Sequence, residues 1–350
     1  MIRTELITSV GSLLRAHANN QPDKWAFRDE LKQVTYEELA RQTEYLAGHL
    51  QANGLAIGDR VALFLPNSVD WVVACLAIVR AGGVCVPISY DSTRTEITYR
   101  LEDAACRVVI TSVDQAELMA TLLAEQPQIT RLIFATDPGS LAAKPLNPSL
   151  QAIATDFDVL TSSVPTSPVR DANDIDGVSF IIYTSGTTGR AKGVLLSQRS
   201  MFWVTAACWA PIAGLDHTDV VLSPLPLFHS YALNLSVLSI IASGASEYIL
   251  RKFSTTDVMQ LLESGEFTIL PGVPTMFHYL LEAARQQPDV KFPNLRLCIS
   301  AGAIMPGPIN QEFEKRFGVK LLDGYGITET STMVTMNWPV GGRVMGSCGL

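Results

Sequence analysis

Residues 181–193 read Ile-Ile-Tyr-Thr-Ser-Gly-Thr-Thr-Gly-Arg-Ala-Lys-Gly, the densest group of anion-binding residue types in the chain. The β-branched run Val178–Tyr183 predicts a strand, and it feeds directly into two glycines, three threonines and one serine, with Lys192 just beyond. Glycine lets the backbone approach an anion closely and take a positive φ. Backbone N–H groups and hydroxyls then cradle phosphate oxygens, and a lysine adds a point charge. The spacing G-x-x-G-x-x-K, with glycine after the lysine, is not the G-x-x-x-x-G-K-[ST] of a P-loop NTPase. Tyr183 stands where a G-x-S-x-G nucleophile elbow has glycine, so Ser185 is not read as a nucleophile. A loop of this composition is otherwise an ordinary surface connection.

Three further runs hold chemistry-bearing residues: Pro224-Leu-Pro-Leu-Phe-His-Ser230, Ser300-Ala-Gly-Ala303, and Asp323-Gly-Tyr-Gly-Ile-Thr-Glu-Thr330. Taken singly they are bland. Glu329 alone is a solvated surface acid, Tyr325 a core aromatic and His229 a structural histidine. His17, His49, His217 and His278 lack comparable surroundings, and no His/Cys cluster has zinc-ligand spacing.

The elements that must position these residues alternate. Thr35-Tyr-Glu-Glu38 is a capping box opening a helix that should run to Asn53-Gly54. Strands are expected at 60–65, 84–88, 107–112, 131–136 and 178–183, then at 220–222, 248–250, 267–270 and 295–300, with helices such as 68–81 and 115–125 between. Such alternation implies mostly parallel sheets covered on both faces. The Pro-, Asp- and Ser-containing segment 137–176 reads as a surface connection between two α/β lobes. This puts interleaved subdomains at about 1–165 and 166–350.

Composition narrows the classes. The chain has 350 residues, 47% hydrophobic and 17% charged, with a net charge of −8. That balance argues against a general nucleic-acid binder. No apolar run reaches the roughly 18 residues of a membrane span, and the N-terminal run has no signal-peptide h-region. The six cysteines form no C-x-x-C pair and read as reduced, mostly buried thiols of a cytoplasmic protein.

The loop Tyr-Thr-Ser-Gly-Thr-Thr-Gly-x-x-Lys-Gly resembles the phosphate-loop signature of the adenylate-forming superfamily: acyl-CoA synthetases, luciferases and peptide-synthetase adenylation domains. The other runs match that family's motifs in order. Gly58-Asp-Arg-Val61 with Leu76–Pro87 resembles its early core, Pro224–Ser230 its P-x-x-H motif, Ser300–Ala303 its [SG]-[AG]-G-[AE] turn, and Asp323–Thr330 its Y-G-x-T-E signature. The stretch from His229 to Asn234 looks most like acyl- and aryl-CoA ligases. The resemblance covers essentially the whole chain.

The resemblance implies a layered α-β-α-β-α fold of two mostly parallel sheets, with activation of a carboxylic acid by ATP and release of pyrophosphate. Thr184, Ser185, Gly186, Thr187, Thr188, Gly189 and Lys192 would hold the β- and γ-phosphates. Glu329 would bind Mg²⁺ with Thr184 as a hydroxyl neighbour, and Thr328 would bond the α-phosphate. Tyr325 would stack on adenine within Asp323, Gly324 and Gly326, and Ser300, Ala301, Gly302 and Ala303 would form one wall. The acid would lie among His229, Ser230, Tyr231, Ala232, Val273, Gly302, Gly324 and Met333. The family's amino-acid-activating members carry an aspartate near the Phe228-His229 position. Here none is present, and a buried ammonium without a carboxylate is costly, so a neutral tail is expected. A hydroxylated aromatic acid, whose phenol Tyr231 would bond, and a medium- or long-chain fatty acid remain the candidates, with the fatty acid preferred. Coenzyme A or a phosphopantetheinyl carrier protein would accept the acyl group. The family's T-G-D motif, the rest of its β-barrel subdomain and its C-terminal lid with a reactive-site lysine lie beyond the matched motifs. The chain therefore resembles the large N-terminal domain. The alternative is a nucleotide- or acyl-binding fragment of weak catalysis.

Overall fold

The computed structural model describes residues 1–135, 147–185 and 189–349. The chain folds as two compact units, one of Ser9–Lys24 with Val34–Gln198, the other of Met1–Thr8, Trp25–Gln33 and Arg199–Leu350.

The first unit holds a seven-stranded sheet in the order Ala154–Asp156, Arg131–Ala135, Val108–Ser112, Arg60–Phe64, Val84–Pro87, Val178–Thr184, Lys192–Ser197. Adjacent strands are parallel except the last pair. Within Arg60–Phe64 alternate residues face opposite sides. Ala62 and Phe64 share a core with Ile97 and Leu101 of helix Arg94–Asp103 and with Met119 and Leu122 of helix Ala116–Leu123. Val61 and Leu63, pointing the other way, are equally buried. Burial on both faces is why these strands are unbroken apolar runs. The Thr35–Glu38 capping box forms as expected, with Thr35 Oγ1 accepting from Glu38 N at 3.2 Å and Glu38 Oε2 from Thr35 N at 2.9 Å. Its helix runs Tyr36–Ala52.

Helix Val69–Arg80 ends in a fully buried arginine. Arg80 meets Asp171 at 2.7 Å and also donates to Thr43 Oγ1 at 2.9 Å and to the Ala40 carbonyl at 2.7 Å. A buried guanidinium is tolerated only when paired and hydrogen-bonded in this way.

Two expectations change here. The division near residue 165 falls inside the first unit, because Val178–Thr184 lies parallel to Val84–Pro87 with Phe180 opposite Cys85. Segment 137–176 is also more than a connection. Residues 136–146 lie outside the described residues. Beyond them, helix Pro148–Gln151 buries Leu150, Ala154–Asp156 becomes the edge strand, and helix Phe157–Ser162 buries Phe157 and Leu160. These few apolar side chains are masked in the sequence by their Pro, Ser and Asp neighbours.

The second unit holds an eight-stranded sheet in the order Thr332–Met336, Lys320–Ile327, Leu297–Ser300, Ile269–Gly272, Val220–Ser223, Ser246–Ile249, Trp25–Arg28, Gln33–Thr35. From Trp25–Arg28 to Lys320–Ile327 its pairs are parallel, and Lys320–Ile327 then pairs antiparallel with Thr332–Met336. Leu222, Leu270, Cys298 and Leu321 share one core with Val258, Phe277, Leu281 and Phe313 of the covering helices. Val178–Thr184 with Lys192–Ser197, and Lys320–Ile327 with Thr332–Met336, are thus antiparallel hairpins that strand–helix alternation did not anticipate, and each carries a candidate loop.

All six cysteines are free thiols, and only Cys348 is not buried. Among the described residues no helix is long and apolar enough to cross a membrane.

Candidate active site

The phosphate-loop residues belong to the first unit. Strand Val178–Thr184 leads into the loop and Lys192–Ser197 returns from it, with Thr184 directly opposite Lys192. Ser185, Gly189 and Lys192 are exposed, and Thr184 is half-buried. Gly186, Thr187 and Thr188 lie outside the described residues. Gly189 has φ 93°, a conformation that favours glycine. Helix Arg94–Asp103 holds both arms of the loop. Tyr183 Oη donates to Asp103 Oδ2 at 2.6 Å, and Tyr99 Oη donates to the Ala191 carbonyl at 2.8 Å. The Arg190 guanidinium sits 5.6 Å from the centre of the Tyr99 ring. Tyr99 and Asp103 carried no signal in the sequence, because nothing local links them to the loop; Tyr183 opens the loop motif, but its partner in a distant helix could not be read from it.

The remaining candidate residues belong to the second unit. Strand Leu297–Ser300 ends with Ser300 opposite Asp323 of the neighbouring strand. Beyond the strand end, Gly302 turns with φ 84°. Gly302, Ala303, Asp323, Gly324, Tyr325 and Gly326 line one cavity of about 260 Å³, joined by Ile304, Gly346 and Cys348, which the motifs did not single out. Ser300 and Ala301 do not line it. Both are buried at the strand end, so the wall expected from Ser300–Ala303 narrows to its last two members. Tyr325 is 52% exposed, so a ring face is available for stacking. Asp323 is buried and its Oδ1 has no hydrogen-bond partner. Burial pushes its pKa up to about 6, against the opposing pull of the Gly324 and Met305 N–H groups.

Thr328, Glu329 and Thr330 form a single turn between the two antiparallel strands. The strands leave no room beside Gly326: a Cβ there would lie 1.3 Å from the Thr332 carbonyl oxygen. The turn closes through positive φ at two non-glycine residues, Ser331 at 60° and Thr332 at 107°, a strained arrangement for a β-branched side chain. Glu329 is exposed, and Thr328 Oγ1 lies 3.2 Å from Ser230 Oγ. Among the described residues no group of three or more His, Cys, Asp or Glu is arranged to hold a metal. A single carboxylate such as Glu329, together with substrate phosphates and water, is nonetheless the donor set Mg²⁺ commonly takes. Thr184, its expected neighbour at the metal, belongs to the other unit.

On the acid side, His229 is exposed, with its ring 4.3 Å from that of Phe228, and the partial desolvation around it lowers its pKa. It precedes a short helix, Ser230–Ala232, that continues as a π-helical turn, Leu233–Leu238. Such turns are rare and often occur at functional sites. Asn234 anchors this one, accepting from Trp209 Nε1 at 2.6 Å and donating to the Met201 carbonyl at 2.8 Å. Ala232 is buried within it. The Tyr231 hydroxyl donates to the Ile299 carbonyl at 3.1 Å, which leaves its oxygen to a substrate phenol only as an acceptor. Met333 packs on Gly324, where a Cβ would come within 2.8 Å of its sulfur, and Val273 lies against Gly302, 3.7 Å from the corresponding position. A larger cavity, about 830 Å³, opens in the first unit beside Ile57, Gly82, Val178 and Leu195; it is lined by Gly58, Arg60 and Gly83 of the early core motif but by none of the residues expected to hold nucleotide, metal or acid.

Known proteins share this pattern. Residues 14–350 match the family model described as AMP-binding enzyme. Naringenin synthase of Pestalotiopsis fici is 34% identical over 342 residues, 95% of this chain and 12% of that protein. A long-chain-fatty-acid–CoA ligase of Bacillus subtilis is 31% identical over 355 residues, 97% of this chain and 63% of the ligase. The crystal structure of the anthranilate CoA ligase AuaEII in complex with anthranoyl-AMP superimposes with a TM-score of 0.86, covering 100% of this chain and 65% of that one; at 21% identity it speaks for the fold. The chain thus spans less than two thirds of the length of each of these proteins. It belongs to the AMP-binding enzyme family.

Proposed function

We propose that this chain carries the nucleotide- and acid-binding part of an ATP-dependent acid–thiol ligase. The carrying observation is the cavity that gathers Asp323, Tyr325 and the glycines around them beside the Thr328–Thr330 turn, in a member of the AMP-binding family. The substrate carboxylate attacks the α-phosphorus of ATP, the bond to the bridging oxygen breaks, and pyrophosphate leaves with an acyl-adenylate formed. In the intact enzyme the thiol of coenzyme A or of a phosphopantetheinyl carrier protein then attacks the acyl carbonyl and AMP departs.

Two anions must meet in the first step, so their charge has to be neutralised and their geometry fixed. Lys192 and the loop of residues 184–189 bind the β- and γ-phosphates. Glu329 holds Mg²⁺, which when bound neutralises phosphate charge. Thr328 donates to the α-phosphate. Tyr325 stacks on adenine, contributing about 1–3 kcal/mol by analogy with base–aromatic stacking, and Asp323 accepts from the amino edge. His229 stands at the rim of the acid pocket and is not assigned as a general base.

The acid is a medium- or long-chain fatty acid. Val273, Gly302, Gly324 and Met333 offer apolar or small surfaces, and the Tyr231 hydroxyl is already engaged as a donor. Coenzyme A and aromatic acids both occur in the names of the related proteins, so the comparison must include an aryl tail. Residues 1–350 alone should bind nucleotide and acid but adenylate slowly, since the family's reactive-site lysine is carried by a further domain.

Isothermal titration with acyl-adenosine sulfamates of several alkyl lengths and a cinnamoyl analogue tests this reading. Tight binding with a preference for alkyl tails is expected. A preference for cinnamoyl replaces the fatty acid with an aryl acid, and no binding by any analogue overturns the assigned site.

A further inference from the structure

We infer that Ser230 is a positioning residue for Thr328, holding that hydroxyl as a donor aimed at the α-phosphate. The inference rests on the adenylate-forming reading above. It departs from the expectation that Ser230 lines the acid pocket.

The geometry is asymmetric. Ser230 is 8% exposed and sits on a well-anchored element. Leu233 N bonds the His229 carbonyl at 2.9 Å, Tyr231 bonds Ile299, and Asn234 ties the following π-turn to Trp209 and Met201. Thr328 sits on a three-residue turn between strands, followed by the positive-φ residues Ser331 and Thr332. That turn's backbone is held by Ser331 N to the Thr328 carbonyl at 3.0 Å and by Thr330 Oγ1 to the Ile327 carbonyl at 2.9 Å. The Thr328 side chain is tied to the anchored element through Ser230 Oγ at 3.2 Å.

A hydroxyl has one proton to give and two lone pairs. If Thr328 gives its proton to a phosphate oxygen, the hydrogen bond with Ser230 must run from Ser230 to Thr328. The resulting relay, Ser230 O–H to Thr328 O–H to phosphate, polarises the outer hydroxyl, and its last bond is charge-assisted. The same pair connects the element bearing His229 to the turn bearing Glu329, so the acid side and the phosphate side share one hydrogen bond.

A double-mutant cycle on the 350-residue chain tests the relay, titrating decanoyl-adenosine sulfamate and, separately, adenosine. Ser230→Ala should weaken the sulfamate about three- to tenfold, the size of one hydrogen bond, and leave adenosine unchanged. The loss should vanish in a Thr328→Val background and persist in Thr328→Ser, which keeps the hydroxyl. Equal losses in the Val and wild-type backgrounds, no loss at all, or a parallel loss for adenosine overturn the assignment. So does a Ser230→Ala chain that melts below the assay temperature, since the residue is then structural. Failure of the wild-type chain to bind the sulfamate overturns the adenylate reading and this inference with it. Binding by wild type with a flat cycle overturns this inference alone.

Discussion

Thr184 and Lys192 are directly paired residues of an antiparallel hairpin, the last residue of one strand opposite the first of the next. Opposed residues of such a pair project to the same face of the sheet. A hydroxyl and an ammonium therefore flank the two ends of one Gly/Thr loop, and the strand register, more than the loop itself, sets their spacing. Tyr99 and Tyr183 then pin the hairpin arms to helix Arg94–Asp103.

Lys192→Met should weaken ATP binding about tenfold, the scale of one charge-assisted contact, and leave adenosine binding unchanged. Lys192 is exposed, so thermal stability should shift by no more than about 0.5 kcal/mol. Calorimetric titration with both ligands reads the difference, and a parallel loss for adenosine would place Lys192 elsewhere in the site.

Asp323 gives a pH signature. Its folded-state pKa is raised by burial to about 6, against about 3.9 unfolded. The native chain thus holds a proton that the unfolded chain has lost, and stability falls as pH rises through that window. Urea midpoints should decline from pH 4 to above 6 in wild type relative to Asp323→Asn. Nucleotide binding should show the reverse trend, because an ionised carboxylate accepts from an amino group. It should tighten as pH rises through about 6, and Asp323→Asn should lose that dependence. A pH-independent affinity in wild type would remove Asp323 from the amino edge.

The two glycines that flank Tyr325 should respond differently to alanine. At Gly326 the new Cβ meets a backbone carbonyl oxygen at 1.3 Å, which cannot move without opening the hairpin. Gly326→Ala should cost about 3 kcal/mol or more, beyond the usual overpacking range. At Gly324 the nearest atom is the Met333 sulfur at 2.8 Å, the far end of a flexible side chain. Gly324→Ala should cost about 1 kcal/mol, with its main effect on tail-length preference among the sulfamates. Equal destabilisation in urea titrations would contradict this contrast.

Asp171→Asn should destabilise the first unit by about 3 kcal/mol at pH 7, because the buried Arg80 loses its close partner and keeps only the half-exposed Glu44 carboxylate at 3.6 Å. Burial by itself would raise the Asp171 pKa, but the Arg80 and Arg15 guanidiniums more than reverse this and hold it low. A lowered folded pKa gives stability that is present above the ordinary carboxylate pKa and lost as pH falls through the folded value. The gap between wild type and variant, read by chemical denaturation, should therefore close in acid.

By itself the sequence determined what is local. The capping box at Thr35–Glu38, the helix Tyr36–Ala52, the apolar strands and the Gly/Thr loop follow from periodicity and turn chemistry within a few residues. The order of the motifs then carried the family, and the residues around Asp323, Gly324, Tyr325 and Gly326 do line one cavity. Tertiary structure decided what depends on distant partners. Ser230 meets Thr328 across 98 residues, Tyr99 meets Ala191 across 92, and Arg80 meets Asp171 across 91. It also engaged the Tyr231 hydroxyl at Ile299 and made Val178–Thr184 a strand of the first sheet. The physical reason is one of range: a side chain's propensity acts over a turn or two, whereas a hydroxyl or carboxylate finds its partner only after two sheets have fixed which strands are neighbours.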